Sequence, residues 1–131
     1  MQNVVEIKSV YKSYQLGSTE VRALAGLSLQ IKKGEFAALI GSSGSGKTTL
    51  LNLVGCLDVA DKGEIFIEGV SVNKLSEDQK SDLRNSKIGF IFQSFNLIPV
   101  LNVFENVEIP LTIRKDLSTE ERRQKVMAAL K

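Results

Sequence analysis

Alternating apolar and polar positions predict strands in the first third of the chain. The alternation runs from Val5 to about Tyr14 and again from Leu27 to Ile31. A period of two is typical of strands that have one buried face. The turn-prone residues 17–20 separate the two stretches. We therefore predict an antiparallel β layer at the start of the chain.

Two continuous apolar runs, Phe36–Ile40 and Ile88–Phe92, predict strands of a different kind. Runs without alternation are typical of parallel strands that are covered on both faces. A turn at residues 32–34 precedes the first run, and apolar positions at helical spacing over residues 50–57 come after it. The expected order around residues 41–48 is therefore strand, loop and helix.

Two serines have the spacing that begins helices. Ser76 is followed three residues later by Gln79, and Ser118 by Glu121, which is the capping-box pattern. We predict one helix from residue 76 to about Arg84 and another from residue 118 to the C-terminus.

The remaining apolar segments are short. Residues 65–67 are expected to form a strand that turns back at Glu68-Gly69. Pro99 and Pro110 bracket a loop and a short helix-like piece over residues 103–109. No internal repeat or low-complexity tract is present in the sequence.

The octapeptide at residues 41–48 fits G-x-x-x-x-G-K-[ST], a loop that cradles phosphates. Gly41, Gly44 and Gly46 lack a Cβ, so the backbone can take positive φ there and let its N–H groups turn inward toward an anion. The N-terminus of the following helix adds to this attraction. Lys47 is suited to reach the terminal phosphates, and the Thr48 hydroxyl to bind Mg²⁺.

The alternative is a Gly/Ser linker that contains Gly-Lys-Thr by chance. The apolar run before the loop and the helical pattern after it favour phosphate binding instead. The predicted binding set comprises Gly41, Ser42, Ser43, Gly44, Ser45, Gly46, Lys47, Thr48 and Thr49.

Composition excludes several classes of protein. At 131 residues the chain is one domain at most, and its net charge of +2, from 17 basic and 15 acidic residues, gives no sign of a nucleic-acid surface. The absence of histidine excludes His-based zinc sites and His-dependent triads.

The single Cys56 lies among apolar neighbours and is expected to be a buried thiol. No apolar stretch approaches the ~20 residues that span a bilayer, and the start is not a signal peptide, so we expect a soluble or peripheral protein.

Motifs beyond the glycine loop resemble the ATP-binding subunits of ABC transporters, most of all those of the lipoprotein-release and macrolide-export branch. The matching segments are Ser13-Tyr14, Leu24–Gly34, Leu50-Leu51-Asn52, Gly55–Asp58, Gly63-Glu64-Ile65, Ile88–Gln93 and Leu101–Leu111. The resemblance implies an α/β fold: a P-loop NTPase core with an incomplete parallel sheet and helices, plus an N-terminal antiparallel β layer. Residues 1–92 would form the β layer and P-loop core, and residues 93–131 the Q-loop and the start of the helical subdomain, where the chain is truncated.

The resemblance also implies roles for individual residues. Tyr14 would stack on the adenine ring, which is chemically sensible because a flat π face accepts a base. Tyr11 is the competing candidate, and a merely structural tyrosine is the other alternative. Gln93 falls at the Q-loop, where its amide would bind Mg²⁺ or a water near the γ-phosphate; otherwise it is a polar residue that ends a buried strand. Lys47 and Gln93 are thus the candidate catalytic residues, and Thr48 and Gln93 the candidate metal ligands.

The implied ligands and partners follow from the family. The cofactors would be ATP and Mg²⁺, and the partners a membrane permease and a second ATP-binding subunit, with no nucleic acid. The loop over residues 94–103 resembles the surface that meets the permease, and its apolar Leu97, Ile98 and Val100 would form the docking patch. The expected location is cytoplasmic, peripheral to the inner face of the cell membrane.

Several of the family's catalytic segments have no counterpart in these residues. The signature segment, the apolar strand that ends in Asp-Glu, and the switch histidine are not found in the sequence. Residues 65–67 with Glu68 imitate that strand, but Gly69 follows, and the resemblance places the segment in a peripheral hairpin. We therefore expect the chain to bind ATP without hydrolysing it, whereas the full-length domain would couple hydrolysis to transport. The alternatives are a fragment that only binds nucleotide or docks on a permease, a truncated product with no role, and a P-loop kinase.

Overall fold

A four-stranded antiparallel sheet forms the first part of the chain in this computed structural model, which describes residues 2–131. The strands are β1 (Asn3–Leu16), β2 (Thr19–Lys32), β3 (Lys62–Ile67) and β4 (Val70–Ser71), in the order β2-β1-β3-β4. A two-residue turn joins β1 to β2, and Glu68 and Gly69, both at positive φ, join β3 to β4. The predicted antiparallel layer and the predicted hairpin at Glu68-Gly69 are thus both present.

The chain divides into two compact units, Met1–Gly89 and Phe90–Lys131. The first holds the sheet, helix α1 (Lys47–Val54), a 3₁₀ turn (Val72–Lys74) and helix α2 (Glu77–Lys87). The second holds helices α3 (Val103–Thr112) and α4 (Thr119–Ala129). The division into residues 1–92 and 93–131 made from the sequence stays a prediction.

The core of the first unit lies between one face of the sheet and α1. Leu50 and Leu53 of α1 are buried against apolar residues of the strands. Cys56, just after the helix, is only 3 % exposed, so the expected buried thiol is present. The core comprises Ile7, Val10, Leu24, Leu50, Leu53, Cys56, Ile65, Ile67 and Val72.

The capping boxes begin α2 and α4 as predicted. The hydroxyls of Ser76 and Ser118 accept the N–H groups of Gln79 and Glu121, whose side chains accept the serine N–H groups in return. Helix α2 continues three residues beyond the predicted end at Arg84, to Lys87. The helix-like piece at residues 103–109 is also a helix, α3, and it too begins with a capping box.

The two continuous apolar runs are not strands, so that prediction is wrong. Residues 36–40 and 88–92 have irregular backbone, and Phe36, Ile40 and Ile91 are at least nine-tenths exposed. A strand requires a neighbour that completes its hydrogen-bond ladder. Within residues 2–131 every ladder belongs to the antiparallel sheet, and neither run pairs with another segment. The apolar composition is the one expected for parallel strands, but that sheet is not formed here.

The helices in the described part of the chain, residues 2–131, are all too short or too polar to cross a membrane.

Candidate phosphate-binding site

The glycine loop leads directly into α1, and no side chain caps the helix. Gly46 is the N-cap residue, at φ +94°, and Gly44 also has positive φ, at +78°. No acidic residue lies in the first turn of α1. The first N–H groups of a helix have no partner within the helix, and its N-terminus carries partial positive charge. The N–H groups of the first turn of α1 are therefore available to an anion.

Two of the glycines are closely packed, and the packing at Gly46 leaves no room for a side chain. A Cβ on Gly46 would lie 2.5 Å from the carbonyl oxygen of Ala23 in β2, so this residue sits directly against the sheet. A Cβ on Gly41 would lie 2.7 Å from Oγ of Ser45. Gly44 and Gly46 use the positive φ that glycine allows, whereas Gly41 does not. A side chain at Gly41 would require the Ser45 hydroxyl to turn away.

Lys47 is held against the loop that precedes it. Its Nζ donates to the carbonyl oxygens of Gly41 (2.8 Å) and Ser42 (2.6 Å) and to Oγ of Ser45 (3.2 Å). These bonds place the ammonium of Lys47 at the loop, close to the uncapped helix start. A fixed positive charge beside free N–H donors is the arrangement that a chain of phosphates requires.

Thr48 follows Lys47 in the first turn of α1, and its side chain is exposed. No group of three or more Cys, Asp or Glu side chains within residues 2–131 is placed to hold a metal ion. Mg²⁺ is often held by one or two protein groups together with phosphate oxygens rather than by an all-protein cage. An accessible hydroxyl at the helix start therefore fits the predicted magnesium ligand.

The two tyrosines of β1 have different surroundings. The hydroxyl of Tyr14 donates to Oδ2 of Asp58 at 2.8 Å. Burial and this bond raise the pKa of the Tyr14 phenol, while the nearby Thr49 hydroxyl acts in the opposite direction. Tyr14 is therefore close to Thr49, the last residue of the predicted binding set. The hydroxyl of Tyr11 instead lies over Gly26 of β2.

A cluster of charged side chains beside Tyr14, formed by Lys12, Asp58 and Asp61, was not predicted from the sequence. Nζ of Lys12 donates to Oδ1 of Asp58 (3.0 Å) and to the carbonyl oxygen of Val59 (2.8 Å), and it lies 3.8 Å from Asp61. Burial alone would raise the pKa of Asp58, but hydrogen bonds from Lys12, Tyr14 and the Val59 N–H hold it below its usual value. More than forty residues separate Lys12 from its acidic partners, so no local pattern could have revealed the pairing.

Gln93 lies in the second unit, on exposed and irregular backbone. Its predicted role toward the γ-phosphate and Mg²⁺ stays a prediction. The apolar Leu97, Ile98 and Val100 on the loop that follows are exposed, and their role as a docking patch stays a prediction.

Asn106 in α3 fixes the shape of this loop. Its Oδ1 accepts the N–H of Ile98 at 2.8 Å, and its Nδ2 donates to the carbonyl oxygens of Leu101 (3.0 Å) and Asn102 (2.9 Å). One amide side chain therefore ties residues 98–102 to the helix. The sequence had pointed to Asn106 only as part of a family motif.

Replacing Asn106 with alanine is expected to loosen this loop by about 2–3 kcal/mol, because several hydrogen bonds of about 1 kcal/mol each are lost. Hydrogen exchange at the Ile98 amide should accelerate more than tenfold, while the amides of α4 keep their rates. Asn106→Asp retains an acceptor for Ile98 and should have an intermediate rate. An Ile98 amide that exchanges equally fast in all three proteins would contradict this role.

Comparisons with known proteins identify the family of the chain. Residues 24–131 match the profile of the ABC transporter family. An uncharacterised ABC transporter ATP-binding protein from Methanocaldococcus jannaschii is 45 % identical over 130 residues, which are 98 % of this chain and 55 % of the relative. A macrolide export ATP-binding/permease protein, MacB, from Hyphomonas neptunium is 47 % identical over 127 residues, 97 % of this chain and 20 % of the relative.

The fold has a solved counterpart of high similarity. A dimeric post-hydrolysis state of the ATP-binding cassette MJ0796 bound to ADP and Pi superposes with a TM-score of 0.86 at 46 % identity. The superposition covers 96 % of this chain and 55 % of that one, so the chain spans about half the length of such cassettes. The similarity confirms the predicted fold class, an α/β P-loop core with an N-terminal antiparallel layer. The chain belongs to the ABC transporter family.

Proposed function

We propose that this chain binds ATP, as the N-terminal part of the energy-coupling subunit of an ABC transporter. The observation that carries the proposal is the uncapped start of α1, with the Lys47 ammonium bonded to Gly41, Ser42 and Ser45 beside it. The identity of 45 % to an ABC transporter ATP-binding protein supports the same ligand.

The proposed binding mode assigns each part of ATP to named groups. Loop and first-turn N–H groups of residues 41–49 would surround the phosphates, and Lys47 would neutralise the terminal ones. Thr48 and Gln93 would hold Mg²⁺, which when bound neutralises charge on the phosphate oxygens. Tyr14 would stack on the adenine ring, and its position near Thr49 supports this choice over Tyr11.

The proposed partners follow from the second unit and the relatives. Leu97, Ile98 and Val100 would dock on a membrane permease, since exposed apolar patches on soluble surfaces mark interaction sites. MacB from Hyphomonas neptunium is named an ATP-binding/permease protein, and this name supports a permease as the partner. A second ATP-binding subunit would complete the transporter, which would lie at the cytoplasmic face of the cell membrane.

We further propose that these 131 residues bind ATP without hydrolysing it, while the longer domain couples hydrolysis to transport. Phosphoryl transfer to water requires a positioned metal and a group that orients the water. No apolar strand ending in Asp-Glu, and no histidine, is present in the sequence to supply these groups.

Calorimetric titration of the folded chain with Mg-ATP tests the proposal. Saturable binding is expected, and inorganic triphosphate should compete because it offers the same phosphates. Phosphate release should equal that of buffer alone. A chain with native circular dichroism that gives no binding heat would contradict ATP binding, and sustained phosphate release by the pure chain would contradict the second part.

A further inference from the structure

We propose that Lys12, Asp58 and Asp61 are positioning residues that hold the ring of Tyr14 for stacking on a nucleotide base. We call these three residues the Lys12 clamp. The inference rests on the proposed function, because it concerns how the base end of the same ligand is bound. None of the three residues needs to touch the nucleotide in this role.

The two oxygens of the Asp58 carboxylate accept hydrogen bonds from different partners. Oδ2 of Asp58 accepts the Tyr14 hydroxyl at 2.8 Å, while Oδ1 accepts Lys12 Nζ at 3.0 Å and the N–H of Val59 at 2.7 Å. A carboxylate fixed on both sides can hold the far end of the phenol in one place. Charge-assisted bonds of this kind are stronger than bonds between neutral groups.

The clamp also joins β1 to the segment that follows α1. Asp61 accepts the N–H of Ser13 at its Oδ2 (2.7 Å), and its own N–H donates to the carbonyl oxygen of Tyr11 (2.9 Å). The backbone of β1 is thereby held on both sides of Lys12. Helix α1 starts at the glycine loop and ends at Val54, four residues before Asp58. The clamp therefore ties Tyr14 to the helix that carries the phosphate site, and fixes the base end of the ligand relative to the phosphate end.

Lys12 selects one face of the aromatic ring. Its Nζ lies 5.2 Å from the centroid of the Tyr14 ring, within the range of a cation–π contact. The Lys12 side chain is only 12 % exposed, so the ammonium is confined to this position. Because Lys12 Nζ lies over one face of the ring, we expect a purine to stack on the opposite face. A ring held at its edge and covered on one side loses little conformational freedom when a base binds.

A purely structural role would make a different prediction. If the clamp only stabilised the fold, its loss would weaken every ligand of the phosphate loop equally. If it positions Tyr14, its loss should weaken ligands that have a base and spare those that do not. The ratio of the affinities for Mg-ATP and inorganic triphosphate separates the two roles.

The experiment measures both affinities by calorimetry for the chain and four variants. Tyr14→Ala is expected to weaken ATP about 10- to 100-fold, the range of one base–aromatic stack, and to change triphosphate less than twofold. Asp58→Ala should weaken ATP about 3- to 10-fold with the same small change for triphosphate. Asp58→Asn keeps an acceptor for Tyr14 and should restore part of the ATP affinity. The exposed Asp82 of α2 provides the matched control, and Asp82→Ala should change neither affinity.

Combining the changes gives a second criterion. Because Asp58 acts through Tyr14, the double variant Tyr14→Ala/Asp58→Ala should bind ATP no more weakly than Tyr14→Ala alone. Equal losses of ATP and triphosphate in Asp58→Ala, or additive losses in the double variant, would overturn the inference. So would a Tyr14→Ala protein that keeps full ATP affinity. Failure of the unchanged chain to bind either ligand would instead contradict the proposed function.

A spectroscopic measurement tests the bond without any ligand. The chain has two tyrosines and no tryptophan, so the difference in ultraviolet absorbance between the unchanged chain and Tyr14→Phe isolates the Tyr14 phenolate. Burial and the bond to Asp58 raise the pKa of Tyr14, so the titration should lie above the usual range of tyrosine. Asp58→Ala should move it down, and Asp82→Ala should leave it in place. An unchanged titration in a folded Asp58→Ala protein would overturn the inference.

Discussion

Replacing Lys47 with alanine is expected to weaken ATP binding by about 100-fold or more. The ammonium is already held at the loop by the carbonyl oxygens of Gly41 and Ser42, so it is in place before phosphates arrive. Its loss removes both the charge and the hydrogen bonds that would neutralise the terminal phosphates, which together correspond to about 3 kcal/mol. Calorimetric titration with Mg-ATP measures the effect directly.

A matched lysine shows whether the effect is local. Lys74, exposed on the 3₁₀ turn, carries the same charge outside the loop, and Lys74→Ala should keep the affinity within about twofold, since exposed charges contribute little at ordinary salt. Circular dichroism should show that both variants are folded. Equal ATP affinity in Lys47→Ala and the unchanged chain would remove the assignment of the loop as the phosphate site.

Replacing Gly46 with alanine is expected to destabilise the first unit by about 2–4 kcal/mol and to abolish ATP binding. Two costs add at this position. The residue has φ +94°, and its new Cβ would lie 2.5 Å from the carbonyl oxygen of Ala23, which belongs to a strand and cannot move away freely. The start of α1 would have to shift, and with it the N–H groups that face the phosphates.

A Gly44→Ala variant separates the cost of the backbone conformation from the cost of the contact with Ala23. It also has positive φ, +78°, but a Cβ there would meet no atom within 4 Å. Gly44→Ala should therefore lose only the backbone term, about 1 kcal/mol. Urea unfolding of the two variants gives the difference. Equal losses of stability would mean that contact with Ala23 contributes nothing to the conformation of the loop.

Elements that depend on nearby residues were predictable from the sequence. The capping boxes at Ser76 and Ser118 begin helices because their donors and acceptors are three residues apart. The alternation in β1 and β2 gave the antiparallel layer for a similar reason, since each strand pairs with its neighbour in the chain. The phosphate loop was recognisable because its glycines and Lys47 lie within one short stretch of sequence.

Features that depend on distant residues were not predictable. The runs Phe36–Ile40 and Ile88–Phe92 have the composition of buried strands, but forming a strand requires a partner that no local pattern specifies. The pairing of Lys12 with Asp58 likewise joins parts of the chain that are brought together only by the fold.

The single buried thiol, Cys56, can be used to measure how often the core of the first unit opens. Cys56 lies under α1 in the core, and burial raises the pKa of its thiol, which suppresses the reactive thiolate. A thiol reagent can therefore label the chain only when the region between α1 and the sheet opens. The labelling rate measures that opening without any added probe, and bound nucleotide should slow it if the ligand holds α1 in place.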